Sequence, residues 1–196
     1  ECPEYLSKKG QKYECRDGKI TNVESLAKYY FDQYSKSDYP KMPATVPDNM
    51  VDVVMQLVFG HAENDLDLIK SQHQESMAAE NCIGALLERY LDSVLNPHGW
   101  VWSFDLVKAT DFIYLSHNSS WVLMQIKNRN NSENSSSSAI REGTSIEKWF
   151  RTFAKTGKTN WDKLPKVMQG KGLSEDGFRK FVILHLTRES DNSPLA

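Results

Sequence analysis

Asp111 stands fourteen residues ahead of the triplet Gln125-Ile126-Lys127. The acid heads one short apolar run, Phe112–Leu115, and the polar-x-Lys triplet lies inside the next, Trp121–Lys127. If the two runs are adjacent strands, a carboxylate, a carboxamide and an ammonium meet at one edge of a sheet. Such a trio suits phosphodiester hydrolysis, which needs an activated water, a neutralised phosphate and a stabilised leaving oxyanion. Magnesium serves all three needs and binds through a few carboxylates, waters and phosphate oxygens. Asp111 is the expected central ligand. The peptide carbonyl of Ile126 is a second, because a strand presents side chain and backbone alternately. Lys127 would orient or deprotonate the water and offset charge at the phosphate.

Gln125 complicates this set. A carboxamide oxygen ligates hard cations but brings no charge, so a second carboxylate is expected from elsewhere. Glu80 falls on a helical stripe with Ile83, Gly84, Leu87, Leu91 and Val94, which aims it toward the core. A carboxylate aimed inward needs a partner. Glu80 is therefore the expected extra ligand, with Glu88 the lesser alternative; a Glu80 reaching solvent or an ion pair is the bland reading.

The triplet runs straight into residues 128–138, Asn-Arg-Asn-Asn-Ser-Glu-Asn-Ser-Ser-Ser-Ser, which are entirely polar and contain neither Gly nor Pro. A Ser-rich linker is one reading. The other is a DNA-reading loop over 128–141, since Arg pairs bidentately with guanine, Asn with adenine, and Ser with either. Arg129, Asn130, Asn131, Asn134, Ser135, Ser136, Ser137, Ser138 and Arg141 are its candidate base readers. Lys148, Arg151, Lys155 and Lys158 are candidate phosphate contacts.

The elements that must position these groups are legible in outline. Asn22 and Asp48 can cap helices over Val23–Tyr34 and from about Val51, the second ending at Gly60. A short helix is expected over Asn64–Lys70 and a longer one over about Gln74–Leu95, closed by Asn96-Pro97 and Gly99. The period then changes. Trp100–Val107, Phe112–Leu115 and Trp121–Lys127 are rich in β-branched and aromatic residues and read as strands. Thr144 or Ser145 can cap a helix reaching about Lys155, on which Trp149, Phe150 and Phe153 have amphipathic spacing. A helix near Ser174–Lys180 and a last strand, Phe181–Leu186, complete the pattern. Helices, strands, helix, strand imply an α/β or α+β fold, a mixed central β-sheet flanked by helices.

The chain has 196 residues, 39% hydrophobic and 26% charged, enough for a core of ordinary globular composition. No apolar run approaches the roughly 20 residues that span a bilayer, so no membrane role is expected. Net charge is −2, but it is unevenly placed. Residues 1–126 hold 11 Lys+Arg against 18 Asp+Glu, net −7, and residues 127–196 hold 13 against 8, net +5. The sign changes at the triplet, so a basic C-terminal half could meet phosphates. The three cysteines, Cys2, Cys15 and Cys82, contain no CxxC pair. Cys82, among Ala and Ile on a helix, reads as a buried thiol, and the compartment as cytoplasmic. The five histidines lack HxxxH or HxH spacing, so no zinc site is expected. There is no Gly-rich phosphate loop and no GxSxG elbow.

With Glu80-Asn-Cys-Ile-Gly-Ala-Leu-Leu-Glu-Arg-Tyr90 ahead of it, the Asp111 … Gln125-Ile-Lys127 pattern resembles the PD-(D/E)xK nuclease superfamily. The longer string Gln125–Arg141, followed by Lys148-Trp-Phe-Arg151, looks like type II restriction endonucleases of the SinI family, which cut double-stranded DNA at GG(A/T)CC. The resemblance covers about residues 75–155. It implies a nuclease core over 73–196 with a helical N-terminal extension over 1–72, and a magnesium-dependent homodimer with one subunit per half-site. It also implies 5′-phosphate ends and a cognate DNA methyltransferase protecting the same site. Asp111 and Lys127 carry over as the catalytic pair, and Gln125 occupies the position usually held by Asp or Glu. Two rivals follow from the same residues: a structure-specific repair or recombination nuclease, and a DNA-binding module inactivated by Gln125.

Overall fold

The structure, a computed structural model, describes residues 15–16, 19–20, 23–36, 38, 40–130 and 143–192, with backbone alone for 15–16, 19–20 and 189–192. It forms two compact units, one Asp38–Ala85 and the other Glu1–Ser37 with Leu86–Ala196.

In the larger unit a small antiparallel pair, β1 (Cys15–Arg16) and β2 (Lys19–Ile20), precedes helix α1 (Val23–Tyr34). The main sheet has four strands in the order β3 (Trp100–Trp102), β4 (Phe112–Leu115), β5 (Trp121–Arg129) and β6 (Ile146–Thr152). The first three form an antiparallel meander, and β6 runs parallel to β5. The protein is therefore α+β with a mixed sheet, as its pattern of elements implies. Trp100, Trp102, Phe112, Met124, Ile126 and Trp149 are buried and alternate in register along the four strands, which places them on one sheet face. The C-terminal half of helix α3 (Leu66–Leu95) supplies the buried Leu86, Leu87, Tyr90, Leu91 and Leu95. Its Glu88 accepts the Trp102 indole N–H at 2.9 Å, and its Arg89 guanidinium lies 5.3 Å from the Trp102 ring. The helix closes as expected, in a 3-10 turn over Asn96–His98 and a left-handed Gly99 with φ 85°.

Two elements differ from the sequence reading. Residues 146–152, expected as helix, are the strand β6. The strand is covered on both sides: Trp149 faces one side, and Ile146 and Thr152, both buried, face the other. A strand buried on both faces has no period of two, and Ile146, Trp149, Phe150 and Phe153 counterfeit a helical stripe. The run Phe181–Leu186, expected as a strand, lies inside helix α4 (Glu175–Asn192). Ser174 starts α4, its hydroxyl accepting the Gly177 N–H at 3.1 Å, and Glu175 and Asp176 favour the first turn. Phe178 is buried while Ile183 and Leu184 are exposed, so the continuous apolar run wraps around the helix rather than filling a strand. Smaller differences concern β3, which stops at Trp102 rather than Val107, and β5, which extends to Arg129.

In the smaller unit, α2 (Met50–Leu57) starts beside Asp48, whose carboxylate accepts the Met50 N–H at 2.8 Å. Gly60, with φ 73°, follows it. The N-terminal half of α3 completes the unit, so the two helices expected over 64–95 are one. Cys82 is buried, its thiol donating to the Asp38 carbonyl at 3.0 Å. Among the described residues no helix is long and apolar enough to cross a membrane.

Candidate active site

Asp111 sits at the entrance to β4 and brackets Gln125. Its backbone N–H donates to the Met124 carbonyl at 2.8 Å. Its carboxylate accepts the Ile126 N–H at 2.6 Å. The antiparallel pairing of Phe112 with Met124 fixes this geometry, so the fourteen-residue spacing does bring the acid against the triplet.

The approach to Asp111 is tightly held. The preceding loop contains Phe104 and Ala109 at φ 51° and 54°, a region non-glycine residues seldom adopt. Ser103 clamps its ends. The Ser103 N–H donates to the Asp111 carbonyl at 2.8 Å, and its hydroxyl donates to the Thr110 carbonyl at 2.7 Å. Ser103 and Thr110 are both buried. The sequence reading did not single out either, and only a short polar residue beside each strand end signalled them.

Part of the Asp111 surface stays accessible, but the carboxyl lies deep enough that burial raises its pKa from 3.8 to about 6. The Ile126 N–H and the Lys127 charge oppose that rise without cancelling it. Lys127 is thus close enough to act on Asp111 electrostatically. Gln125 is 3% exposed, and its amide oxygen is buried without a hydrogen-bond partner among the described residues. A buried orphan carbonyl costs about 1–3 kcal/mol, so its position asks for a ligand. Alternation along β5 puts Gln125 and Lys127 on one face, and in β6 they pair with Lys148 and Phe150.

These donors fit a hard divalent cation. A carboxylate destabilised by burial gains from a positive ion beside it, and the unpartnered amide oxygen is a hard neutral donor. The Ile126 N–H is committed to Asp111. Among the described residues no three His, Cys, Asp or Glu side chains gather at one point.

Glu80 is exposed on the part of α3 that belongs to the smaller unit. The stripe that predicted an inward carboxylate does not bury it, because the buried face of α3 runs through Ala78, Cys82, Leu86 and Tyr90. The inward carboxylate of this helix is Asp92, 2% exposed. It accepts the Tyr34 hydroxyl at 2.8 Å, and burial raises its pKa. Glu88 is engaged by Trp102.

Of the expected DNA contacts, Arg129 is exposed at the end of β5. Asn130 is exposed too, and its side-chain oxygen accepts the Ala154 N–H at 2.8 Å. Asn131, Asn134, Ser135, Ser136, Ser137, Ser138 and Arg141 lie outside the described residues. Lys148 is half-buried, and Lys155 and Lys158 are exposed. Arg151 is held by its own fold. It pairs with Glu175 at 2.5 Å, donates to the Asn128 side-chain oxygen at 3.0 Å, and lies 5.0 Å from the Phe178 ring. This network ties β6 to α4, and its far partner, Glu175, is separated by 24 residues, which is why pattern alone did not reveal it.

Comparison with known proteins joins this geometry to a family. The family model of the SinI restriction endonuclease matches residues 1–188. The chain is 44% identical to the type II restriction enzyme Eco47I of Escherichia coli over 189 residues, which is 95% of this chain and 82% of that one. It is 46% identical to the type II restriction enzyme SinI of Salmonella infantis over 173 residues, covering 87% of this chain and 75% of that one. A match of that extent makes the chain a type II restriction endonuclease, a site-specific deoxyribonuclease, and it belongs to the SinI restriction endonuclease family.

Proposed function

We propose that the chain hydrolyses double-stranded DNA at a short palindrome, GG(A/T)CC, in a magnesium-dependent reaction that leaves 5′-phosphates, and that it does so as a homodimer. The observation that carries this reading is the Asp111 carboxylate bracketing Gln125 within reach of the Lys127 charge. Asp111 and Gln125 would hold the ion with the Ile126 carbonyl. When bound, magnesium neutralises phosphate charge and acidifies water. Lys127 takes or holds a proton of the attacking water at Nζ and offsets charge on the phosphate. Lys148, one strand over and level with Gln125, holds phosphate, as does Arg129 at the strand end. Asn130 and the Asn/Ser string to Arg141 read bases. Arg151 acts indirectly, by fixing β6 on α4. A methyltransferase protecting the same palindrome is the implied companion activity.

Plasmid DNA of known sequence, digested with magnesium and mapped at its ends, tests this. Cutting should occur at GG(A/T)CC, and the ends should ligate without added kinase. Asp111→Ala or Lys127→Ala cutting at the wild-type rate would overturn the assignment. Gln125 motivates a second reading, a DNA-binding protein without cleavage. That reading predicts salt-sensitive, site-specific binding and intact plasmid with either magnesium or manganese.

A further inference from the structure

The loop from β3 into β4 is tied more firmly than a connection needs. Ser103, the residue after β3, is buried, and its backbone and side chain all bond within that loop. Its N–H donates to the Asp111 carbonyl at 2.8 Å, its hydroxyl donates to the Thr110 carbonyl at 2.7 Å, and its carbonyl accepts the Leu106 N–H at 3.0 Å. The next residue, Phe104, has φ 51°, a conformation that persists only where packing imposes it. Its ring centroid lies 4.1 Å from that of Trp102 and 5.4 Å from that of Tyr30 on α1.

The hydroxyl bond has a consequence one strand over. Phe112 pairs with Met124, so the same register carried two residues further sets Thr110 opposite Ile126. In a continuing antiparallel ladder the Thr110 carbonyl would be an acceptor for the Ile126 N–H. Ser103 holds that carbonyl instead, and the Ile126 N–H goes to the Asp111 carboxylate at 2.6 Å. The carboxylate is thereby fixed at the peptide that joins Gln125 to Ile126. Without the Ser103 hydroxyl, the Thr110 carbonyl is released to compete with Asp111 for the same N–H.

We propose that Ser103 is a positioning residue for DNA cleavage: its hydroxyl, by holding the Thr110 carbonyl, commits the Ile126 N–H to Asp111 and sets the carboxylate to take the divalent ion. The role in cleavage rests on the reading of Asp111 as a metal ligand; the effect of Ser103 on Asp111 does not. Groups that orient a metal ligand in this way change metal affinity or activity by about 10- to 100-fold when removed.

Two measurements on the full chain test the proposal. The first is NMR of the metal-free protein, reading the scalar coupling across the hydrogen bond from the Ile126 amide nitrogen to the Asp111 carboxyl carbon. Wild type and Ser103→Thr should show it, and Ser103→Ala should not. The second is plasmid cleavage against magnesium concentration. Ser103→Ala should lower kcat about 10- to 100-fold and need more magnesium, with KM for DNA unchanged, while Ser103→Thr restores cutting. Ser103→Cys, of similar size but a weak donor, replaces Ser103→Ala if circular dichroism shows that variant unfolded. Tyr90→Phe removes a hydroxyl that bonds Ser174, far from this loop, and should keep both coupling and cleavage. No coupling in wild type, a coupling that survives in Ser103→Ala, or an equal loss of cutting in Tyr90→Phe would overturn the proposal. Ser103→Ala that loses the coupling and cuts at the wild-type rate would overturn the role in cleavage. Asp111→Ala that cuts normally, beside a coupling that still depends on Ser103, would overturn the assignment of Asp111 instead.

Discussion

Replacing Asp111 by Asn should stabilise the metal-free protein at neutral and alkaline pH while abolishing cleavage. The carboxyl pKa is 3.8 when exposed and about 6 when folded, chiefly through burial. The folded state therefore holds the proton more tightly than the unfolded state. Stability from that held proton is complete below about pH 4 and is lost as pH rises through about 6. Above it, folding must bury an ionised group. A shift of about two pKa units at 1.36 kcal/mol each is about 3 kcal/mol; solvent access to part of the side chain lowers the expectation to about 2–3 kcal/mol. Asparagine keeps an oxygen for the Ile126 N–H and removes the charge. In a chain of this length each kcal/mol moves Tm by about 2–4 °C, so Asp111→Asn should melt roughly 5–10 °C above wild type at pH 8 in a chelator. Near pH 4 most of the gain should vanish, because the folded wild-type group is then protonated and the unfolded one is close to half protonated. Magnesium at pH 8 should narrow the difference by stabilising only the wild type. Scanning calorimetry across pH, with and without chelator, measures all three. If Asp111→Asn melts no higher than wild type at pH 8, or keeps the same gain at pH 4, Asp111 does not carry a burial-strained charge.

Gln125→Met removes a buried carbonyl that lacks a partner, so in chelator its denaturant midpoint should match or exceed wild type while plasmid cleavage falls; a loss above about 2 kcal/mol would mean the amide is structurally engaged. Arg151→Ala breaks the contacts to Glu175, Asn128 and Phe178 and should cost about 2 kcal/mol in urea unfolding; Arg151→Lys should not restore it, since lysine lacks the planar fork. Lys148→Ala should weaken binding to specific and random DNA alike and lower the slope of log K against log salt by about 1. An unchanged slope would remove Lys148 from the phosphate contacts.

Sequence alone reached the fold class and the convergence of Asp111 on the Gln125–Lys127 triplet further than it reached the individual elements. Asp111, Gln125 and Lys127 were legible because strand pairing depends on short, local patterns: two β-rich runs joined by a turn converge whatever surrounds them. The ends of α1 and β4 and the closing turn at Asn96–Gly99 were legible for the same reason. Elements whose identity depends on distant neighbours were not. Residues 146–152 have helical apolar spacing, and they are a strand because β5 offers a parallel edge and both of their faces are covered. Phe181–Leu186 has the look of a buried strand, and it is a helix because Ser174 starts one and propagation continues through the run. Glu80 was aimed inward by its stripe, yet packing turned Ala78, Cys82 and Leu86 to the core and left Glu80 exposed. The residue types and spacing therefore brought Asp111, Gln125 and Lys127 together as candidates for chemistry. Tertiary structure decided how deeply Asp111 is buried, that the Gln125 amide oxygen has no partner among the described residues, and that Arg151 ties β6 to α4. Burial and hydrogen-bond satisfaction are properties of what surrounds a side chain, and the surroundings are supplied by segments far away in sequence.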